Sequence, residues 1–338
     1  MDLASLLNRP LAIGNKSIEN RLILAPMAGI THGPFREVVD LFGGCGLLYT
    51  GMCAARLVPA ENPASSLAFH WRPEELPRLV CQIFGSEPEI MARAAMRIEE
   101  EGFFGVDINC GCSVAAIRKQ GAGAALLLAP RKAAEIVRAV RKAVSIPVIV
   151  KFRTGFSQDP ERAVAMARLF EENGADALIF HPRVVPDLRT RPPRREYVGM
   201  VKEAVSIPVF GNGNVFSEEI CKAMLEETGC DGVALGRIVA ARPWTFAAWT
   251  GKIEENQDIF KKTCLAAADS CARRFDEKTA LSLFKALTPY FCANFPFGHH
   301  LGKSLRAAKS PGELRERIEN FFSEAVQITR HPNPGLFE

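Results

Sequence analysis

The sequence predicts an α/β protein, a (β/α)8 TIM barrel over residues 1–250 followed by an all-helical domain over 251–330. Three observations carry that prediction. Short apolar, β-branched segments alternate with amphipathic helical ones, which implies parallel strands joined by crossover helices. The alternation yields eight strands, the number a closed barrel of this kind needs. After residue 253 it stops, and only helical patterns follow.

The strands are read in order as "RLILAPMA" (21–28), "GLLYTG" (46–51), "LVCQIFG" (79–85) and "GVDINC" (105–110), then "PVIVKFRTG" (147–155), "ALIFHPR" (177–183), "PVFGNGN" (208–214) and "GVALGR" (232–237). Helices such as "EPEIMARAAMRIEEEG" (87–102) and "PRKAAEIVRAVRKAV" (130–144) lie between them. The near copies "KAVSIPV" (142–148) and "EAVSIPV" (203–209) precede the fifth and seventh strands, as repeated barrel positions would. No G-x-G-x-x-G follows the first strand, which counts against an open doubly wound sheet. Beyond "RPWTFAAWTGKI" (242–253) come "FKKTCLAAADSCARRF" (260–275) and "PGELRERIENFFSEAVQITR" (311–330), both helical, and 331–338 reads as a loose tail.

Composition narrows the class. The 338 residues are 48% hydrophobic and 24% charged, with a net charge of +4, an ordinary soluble balance that permits an anionic partner without demanding one. No apolar run approaches the roughly 20 residues of a membrane span, and the N-terminus lacks the pattern of a secretory signal. The ten cysteines are scattered, several within apolar segments (Cys81, Cys221, Cys264), and form no pair of CxxC motifs. The expectation is a cytoplasmic protein with reduced thiols, no membrane contact and no metal.

In such a barrel, chemistry gathers where the strands end, because the βα loops make one rim. Those ends carry Pro26 and Met27, Thr50 and Gly51, Gln82, Asn109 with Cys112, Lys151 with Arg153, His181 with Arg183, Asn212-Gly213-Asn214, and Gly236-Arg237. Val106 and Ile108 read as the last inward residues of their strand, with Cys110 and Cys112 at its lip. Lys151 directly follows "VIV", so a polar or anionic ligand is expected to meet its amine. Gln82 can equally satisfy strand-end backbone, and His181 can equally be a core histidine. The glycine loops "GNGN" and "LGR" bare backbone N–H groups beside Arg237, which suits a phosphate. A flavin mononucleotide fits this arrangement, with Lys151 near the ring edge where negative charge gathers. A sugar-phosphate substrate fits nearly as well.

Seven motifs in order, "APMAGITHGPFR" (25–36), "QIFG" (82–85), "DINCGC" (107–112), "GAGAALL" (121–127), "KFRTGF" (151–156), "GNGN" (211–214) and "LGRIVAARPW" (235–244), resemble the tRNA-dihydrouridine synthases. The resemblance covers the whole barrel, and the helical region fits that family's C-terminal domain. It implies reduction of the C5–C6 double bond of uridine in tRNA, with hydride from reduced FMN to C6 and a proton from Cys112 to C5. It further implies FMN contacts from Pro26, Met27, Ala28, Gln82, Lys151, Asn212, Gly213, Asn214, Gly236 and Arg237, together with His181. Asn109 and Arg153 would hold the uracil, and NADPH would be the electron donor, although no separate nicotinamide motif is visible. A thiol carries its proton at neutral pH, which suits a general acid. Cys110 is the rival thiol. The chain departs from the family pattern at Ser113 (usually Pro), Pro182 (usually Gly), Asn214 (often Asp) and His32 (often Asp).

The loop after the sixth strand holds Arg183, Arg189, Arg191, Arg194 and Arg195, an electrostatic footprint for an RNA backbone on the same rim. Arg118-Lys119, Arg273-Arg274, Lys303, Arg306 and Lys309 could extend it. Competing readings are the same chemistry on ribosomal RNA, an FMN-dependent reductase of a free pyrimidine or small enone, and an RNA-binding protein on a barrel without catalysis.

Overall fold

Eight parallel strands form a single sheet in the computed structural model, which describes residues 2–185 and 191–337. They are β1 (Leu22–Leu24), β2 (Leu48–Ala54), β3 (Leu79–Phe84), β4 (Gly105–Cys110), β5 (Val148–Gly155), β6 (Ala177–Val184), β7 (Val209–Asn212) and β8 (Gly232–Leu235). Neighbours in sequence are neighbours in the sheet, and β8 pairs with β1 in parallel. Closure between β1 and β2 runs through a parallel bridge of Ile23 to Leu47, with Leu24 N donating to Leu47 O at 2.9 Å. The sheet is therefore a closed barrel with helices on its outer face, and the predicted fold class stands.

Strand alternation sorts side chains into two cores. Ile23, Tyr49, Val80, Ile149, Ile179, Phe210 and Ala234 fill the barrel interior. Their neighbours Leu22, Cys81, Val106, Ile108, Val150, Phe180 and Val233 pack outward against helices such as Pro88–Glu100 and Pro130–Ala143. Val106 and Ile108 thus point away from the barrel axis, and it is Asp107 and Asn109 that point into it. In a parallel sheet both faces are covered and both are apolar, so the sequence offers no alternation from which to read the side.

A hairpin of Leu11–Ile13 and Lys16–Ile18, not anticipated from the sequence, closes the N-terminal end of the barrel. Ile13 and Ile18 join the interior core, and Lys16 Nζ donates to the Phe103 and Phe104 carbonyls at 3.2 and 2.9 Å. Its two-residue turn, Gly14-Asn15 with Gly14 at φ +57°, is a hairpin signal that three-residue strands make easy to overlook.

Four helices follow, Asp258–Arg274, Glu277–Cys292, Gly298–Ala307 and Pro311–Phe321. They share one hydrophobic core with the barrel's outer layer, where Trp244 meets Phe260 edge to face. The last helix stops at Phe321, short of the predicted residue 330. The chain then returns along the barrel side, with Thr329 N donating to Asn294 O at 2.8 Å and Arg242 Nη2 to Thr329 O at 2.7 Å. The segment expected as a loose tail is anchored too: Asn333 N donates to Ala293 O at 2.8 Å, and Leu336 packs on Ala241 and Ala293. Among the described residues no helix is long and apolar enough to cross a membrane.

His32 caps helix Gly33–Phe42, its Nδ1 accepting from Phe35 N at 3.2 Å. Burial, and then the Arg36 charge, push its pKa from 6.5 down to about 3. Between those values the unfolded chain binds a proton that the folded chain refuses. The stability involved is complete above pH 6.5 and drains away towards pH 3, by at most about 1.4 kcal/mol per pH unit. His32→Asn keeps a capping side chain and removes the titration. Urea denaturation is expected to show a shallower loss of stability in the variant as pH falls from 6.5; parallel curves would refute the assignment.

Candidate active site

The site begins with four residues on neighbouring strands. On β4 the inward pair Asp107 and Asn109 stands next to the inward pair Lys151 and Arg153 of β5, with Asn109 registered against Lys151 and Arg153 against His181 of β6. Asn109 is an Asx-type anchor for the loop that follows. Its Oδ1 accepts from Gly111 N at 3.1 Å and Cys112 N at 2.9 Å, which turns Cys112 back over the strand end. Cys112 is partly exposed, whereas the other nine cysteines, Cys110 among them, are buried. Cys110 points outward beneath the helices, and burial, then Asp107, raise its pKa far above the usual thiol value.

The interior is strongly electropositive. Burial and the neighbouring Arg153 bring the Lys151 amine down to about 8, while Asp107 and Cys112 pull it the other way. Cys112 is tied to Asn109, which is registered against Lys151 on β5, so the thiol loop and the amine belong to neighbouring strand ends. Burial, then Arg153, Lys151, Arg183 and Arg237, hold His181 well below its ordinary pKa, so its imidazole is neutral. Its Nε2 is buried and has no hydrogen-bond partner among the described residues. Gly213 makes room for that ring: at φ +123°, a Cβ there would lie 2.7 Å from His181 Cδ2.

An open cavity of about 310 Å³ gathers the expected cofactor residues apart from Gln82. Pro26, Met27 and Ala28 come from the β1 loop, which Thr31 holds by bonding both Met27 N and Met27 O at 3.1 Å. Lys151, Arg153, His181 and Arg183 come from β5 and β6. Asn212, Gly213, Asn214, Gly236 and Arg237 complete the wall. Asn214, at φ +51°, accepts from Arg237 Nη2 at 2.7 Å and from Arg183 Nη2 at 3.1 Å, so one side chain joins a guanidinium group on β6 to one on the helix just past β8. Arg237 also lies 5.0 Å over the Phe216 ring. This neutral imidazole, set among cations and a glycine with its Nε2 unsatisfied, fits a phosphate-bearing ligand.

Gln82 and Asn109 stand on β3 and β4, next to β5 with its Lys151, and Cys112 follows on the loop after β4; the cavity lining includes none of the three. Tyr290 enters its lining from helix Glu277–Cys292, a contribution nothing in the sequence signals. Of the loop arginines, Arg189 lies outside the described residues. Arg191 is exposed, its carbonyl accepting from Arg183; Arg194 N donates to Pro182 O at 3.1 Å; and Arg195 pairs with Glu227 at 3.0 Å. Arg273 and Arg274 both bind Glu37 on the barrel at 2.9 Å. Arg118 is turned towards its own loop, donating to Ser113 O at 3.1 Å.

The family described as dihydrouridine synthase (Dus) matches residues 23–325. The tRNA-dihydrouridine synthase B of Pseudomonas aeruginosa is 40% identical over 239 residues, covering 69% of this chain and 70% of that protein. A probable tRNA-dihydrouridine synthase 1 of Synechocystis sp. is 32% identical over 340 residues, covering 94% and 90%. Among solved structures, the old yellow enzyme from Trypanosoma cruzi superposes with a TM-score of 0.54 at 14% identity, over 75% of this chain and 93% of that one. Histamine dehydrogenase from Rhizobium sp. 4-9 gives 0.55 at 15%, over 80% and 51%. At these identities the structural likeness shows the fold alone.

Proposed function

The chain belongs to the dihydrouridine synthase family, and on that premise we propose that it reduces the C5–C6 double bond of uridine in tRNA to 5,6-dihydrouridine. One observation carries the reading beyond family membership. The single partly exposed thiol is clamped by Asn109, which is registered against Lys151, itself part of the lining of the cation-rich cavity.

The cavity residues suit FMN. Arg183 and Arg237, gathered on Asn214, and the glycines of the last two loops would hold its phosphate. Lys151 would sit where the ring's negative charge accumulates, and neutral His181 can donate or accept as required. When bound and reduced, with NADPH as electron source, the flavin supplies the hydride that C6 of uracil accepts. Cys112 then delivers the proton that C5 takes up, and Asn109 and Arg153 hold the base against the rim. A base inside a folded RNA must be unstacked to reach them. A tRNA substrate and ten free thiols fit work in the cytoplasm.

The RNA path follows the rim from the arginine loop. Lys303 and Arg306 extend it on one exposed helix face, with Phe297, 78% exposed, offering a surface on which a base can stack. Alanine at Arg189, Arg191 and Arg194 is expected to weaken tRNA binding with flavin retained. The slope of log Kd against log salt should fall by about one for each phosphate no longer neutralised. Arg273→Ala, whose guanidinium is engaged by Glu37, is expected to leave binding unchanged. Equal effects from both sets would remove the loop from the path.

Mapping dihydrouridine in RNA from cells with and without this protein tests the reaction. Loss of specific tRNA positions is expected. Loss confined to ribosomal RNA would move the substrate. An unchanged map, with the pure protein reducing a free pyrimidine or enone, would replace the reading; a colourless protein that binds RNA would leave only the scaffold.

A further inference from the structure

The chain of amides beneath the thiol loop ends on a residue that no part of the reaction uses. Gln82 Nε2 donates to Asp107 Oδ2 at 2.6 Å, and Asn109 Nδ2 donates to Gln82 Oε1 at 2.8 Å. Asn109 Oδ1 in turn accepts from Gly111 N and Cys112 N at 3.1 and 2.9 Å. A backbone N–H can only donate, so Asn109 turns its oxygen to the loop and its N–H to Gln82 Oε1, which leaves the Gln82 N–H facing Asp107. Asp107 is fully buried inside the barrel, and its second oxygen, Oδ1, has no hydrogen-bond partner among the described residues. A carboxyl buried at such cost with one oxygen unsatisfied needs a reason.

We propose that Asp107 is a positioning residue: its carboxylate fixes the Gln82 amide, Gln82 fixes Asn109, and Asn109 holds Cys112 at the mouth. Without the carboxylate, Gln82 can rotate its amide and present N–H to the N–H of Asn109. That repulsion loosens the side chain that ties down the Gly111–Cys112 backbone. The same chain aims the remaining N–H of each amide, so it sets the direction in which both can donate to a ligand. Burial pushes the Asp107 carboxyl up to about 7, with Gln82 and then Lys151 opposing, which matches a group held for its geometry at the expense of its solvation.

The test reads Cys112 directly. Because the other nine cysteines are buried, iodoacetamide should modify Cys112 first in the full chain as purified. Asp107→Leu and Gln82→Leu are each expected to raise that alkylation rate about five-fold, the factor one ordinary hydrogen bond allows. The double replacement should rise no further, since both changes break one chain. Asp107→Asn, which keeps an oxygen towards Gln82, should stay within about two-fold of the parent. Leucine fills the space of Asp107 without offering an acceptor, so a mere filling role would leave Asp107→Leu at the parent rate. Unchanged reactivity in the single variants, or increases that multiply in the double, overturn the proposal; Asp107→Ala serves in the same cycle if the leucine variant does not fold. The consequence for turnover, a lower kcat at constant KM in Asp107→Leu, rests on Cys112 being the proton donor. Alkylation needs no RNA, so a failed dihydrouridine map would strike the function and leave this chain standing.

Discussion

Cys112→Ala is expected to keep its flavin bound and reducible while dihydrouridine formation falls about 10²- to 10⁴-fold, the span typical for a lost general acid. Cys110→Ala is expected to retain most activity. The two thiols are one residue apart, yet the strand separates them completely. Cys110 continues the outward series of Val106 and Ile108 into the helix-packed core, where burial raises its pKa and no ligand can reach it. Cys112 lies past the strand end, partly exposed, its backbone N–H held by Asn109 at 2.9 Å. Loss of a buried thiol leaves a small cavity, so Cys110→Ala should lower Tm by a few degrees without touching the chemistry. Steady-state assays on tRNA with flavin absorbance as the loading control would decide it. Activity that survives Cys112→Ala and dies with Cys110→Ala would reverse the assignment.

Lys151→Met is the second large effect. Burial and the adjacent Arg153 lower the Lys151 amine to about 8, so it is mainly charged at neutral pH and loses its proton as pH climbs through 8. If that charge offsets the negative charge of a reduced flavin, kcat/KM should decline above pH 8, approaching ten-fold per unit. Lys151→Met should lower turnover about 10²-fold at neutral pH and abolish this alkaline limb, because the titrating group is gone. Asp107, whose carboxyl favours the charged amine, faces the same space, so the limb should move to lower pH in Asp107→Leu. An alkaline limb that persists in Lys151→Met would assign it to another group.

Much of this site could be read from local pattern. Lys151 after "VIV" signals a charge at the end of a buried strand, and the glycines of "GNGN" and "LGR" signal backbone laid open to a ligand. Gly213 illustrates the limit of such reading. The sequence marks it as permissive, but only the structure shows that it must be small because His181 occupies the space. Asn214 illustrates it again: where the family pattern often has Asp, this chain has an amide whose oxygen still accepts from two arginines. The role of a neutral acceptor there rests on partners 31 and 23 residues away in sequence.

Local pattern was enough to set the number of strands, their parallel pairing and the residues at each strand end. Periodicity and short motifs act over a few residues and leave their mark in order along the chain. The closed barrel was needed to show which face each strand residue takes and that Tyr290 reaches the cavity. It was needed too for the grip of Glu37 on Arg273 and Arg274, and for Asp107 as the anchor of the Cys112 loop. Each of these depends on distant segments meeting in the sheet or among the helices packed on it. Such a meeting has no period and no spacing, and it exists only once the barrel has closed.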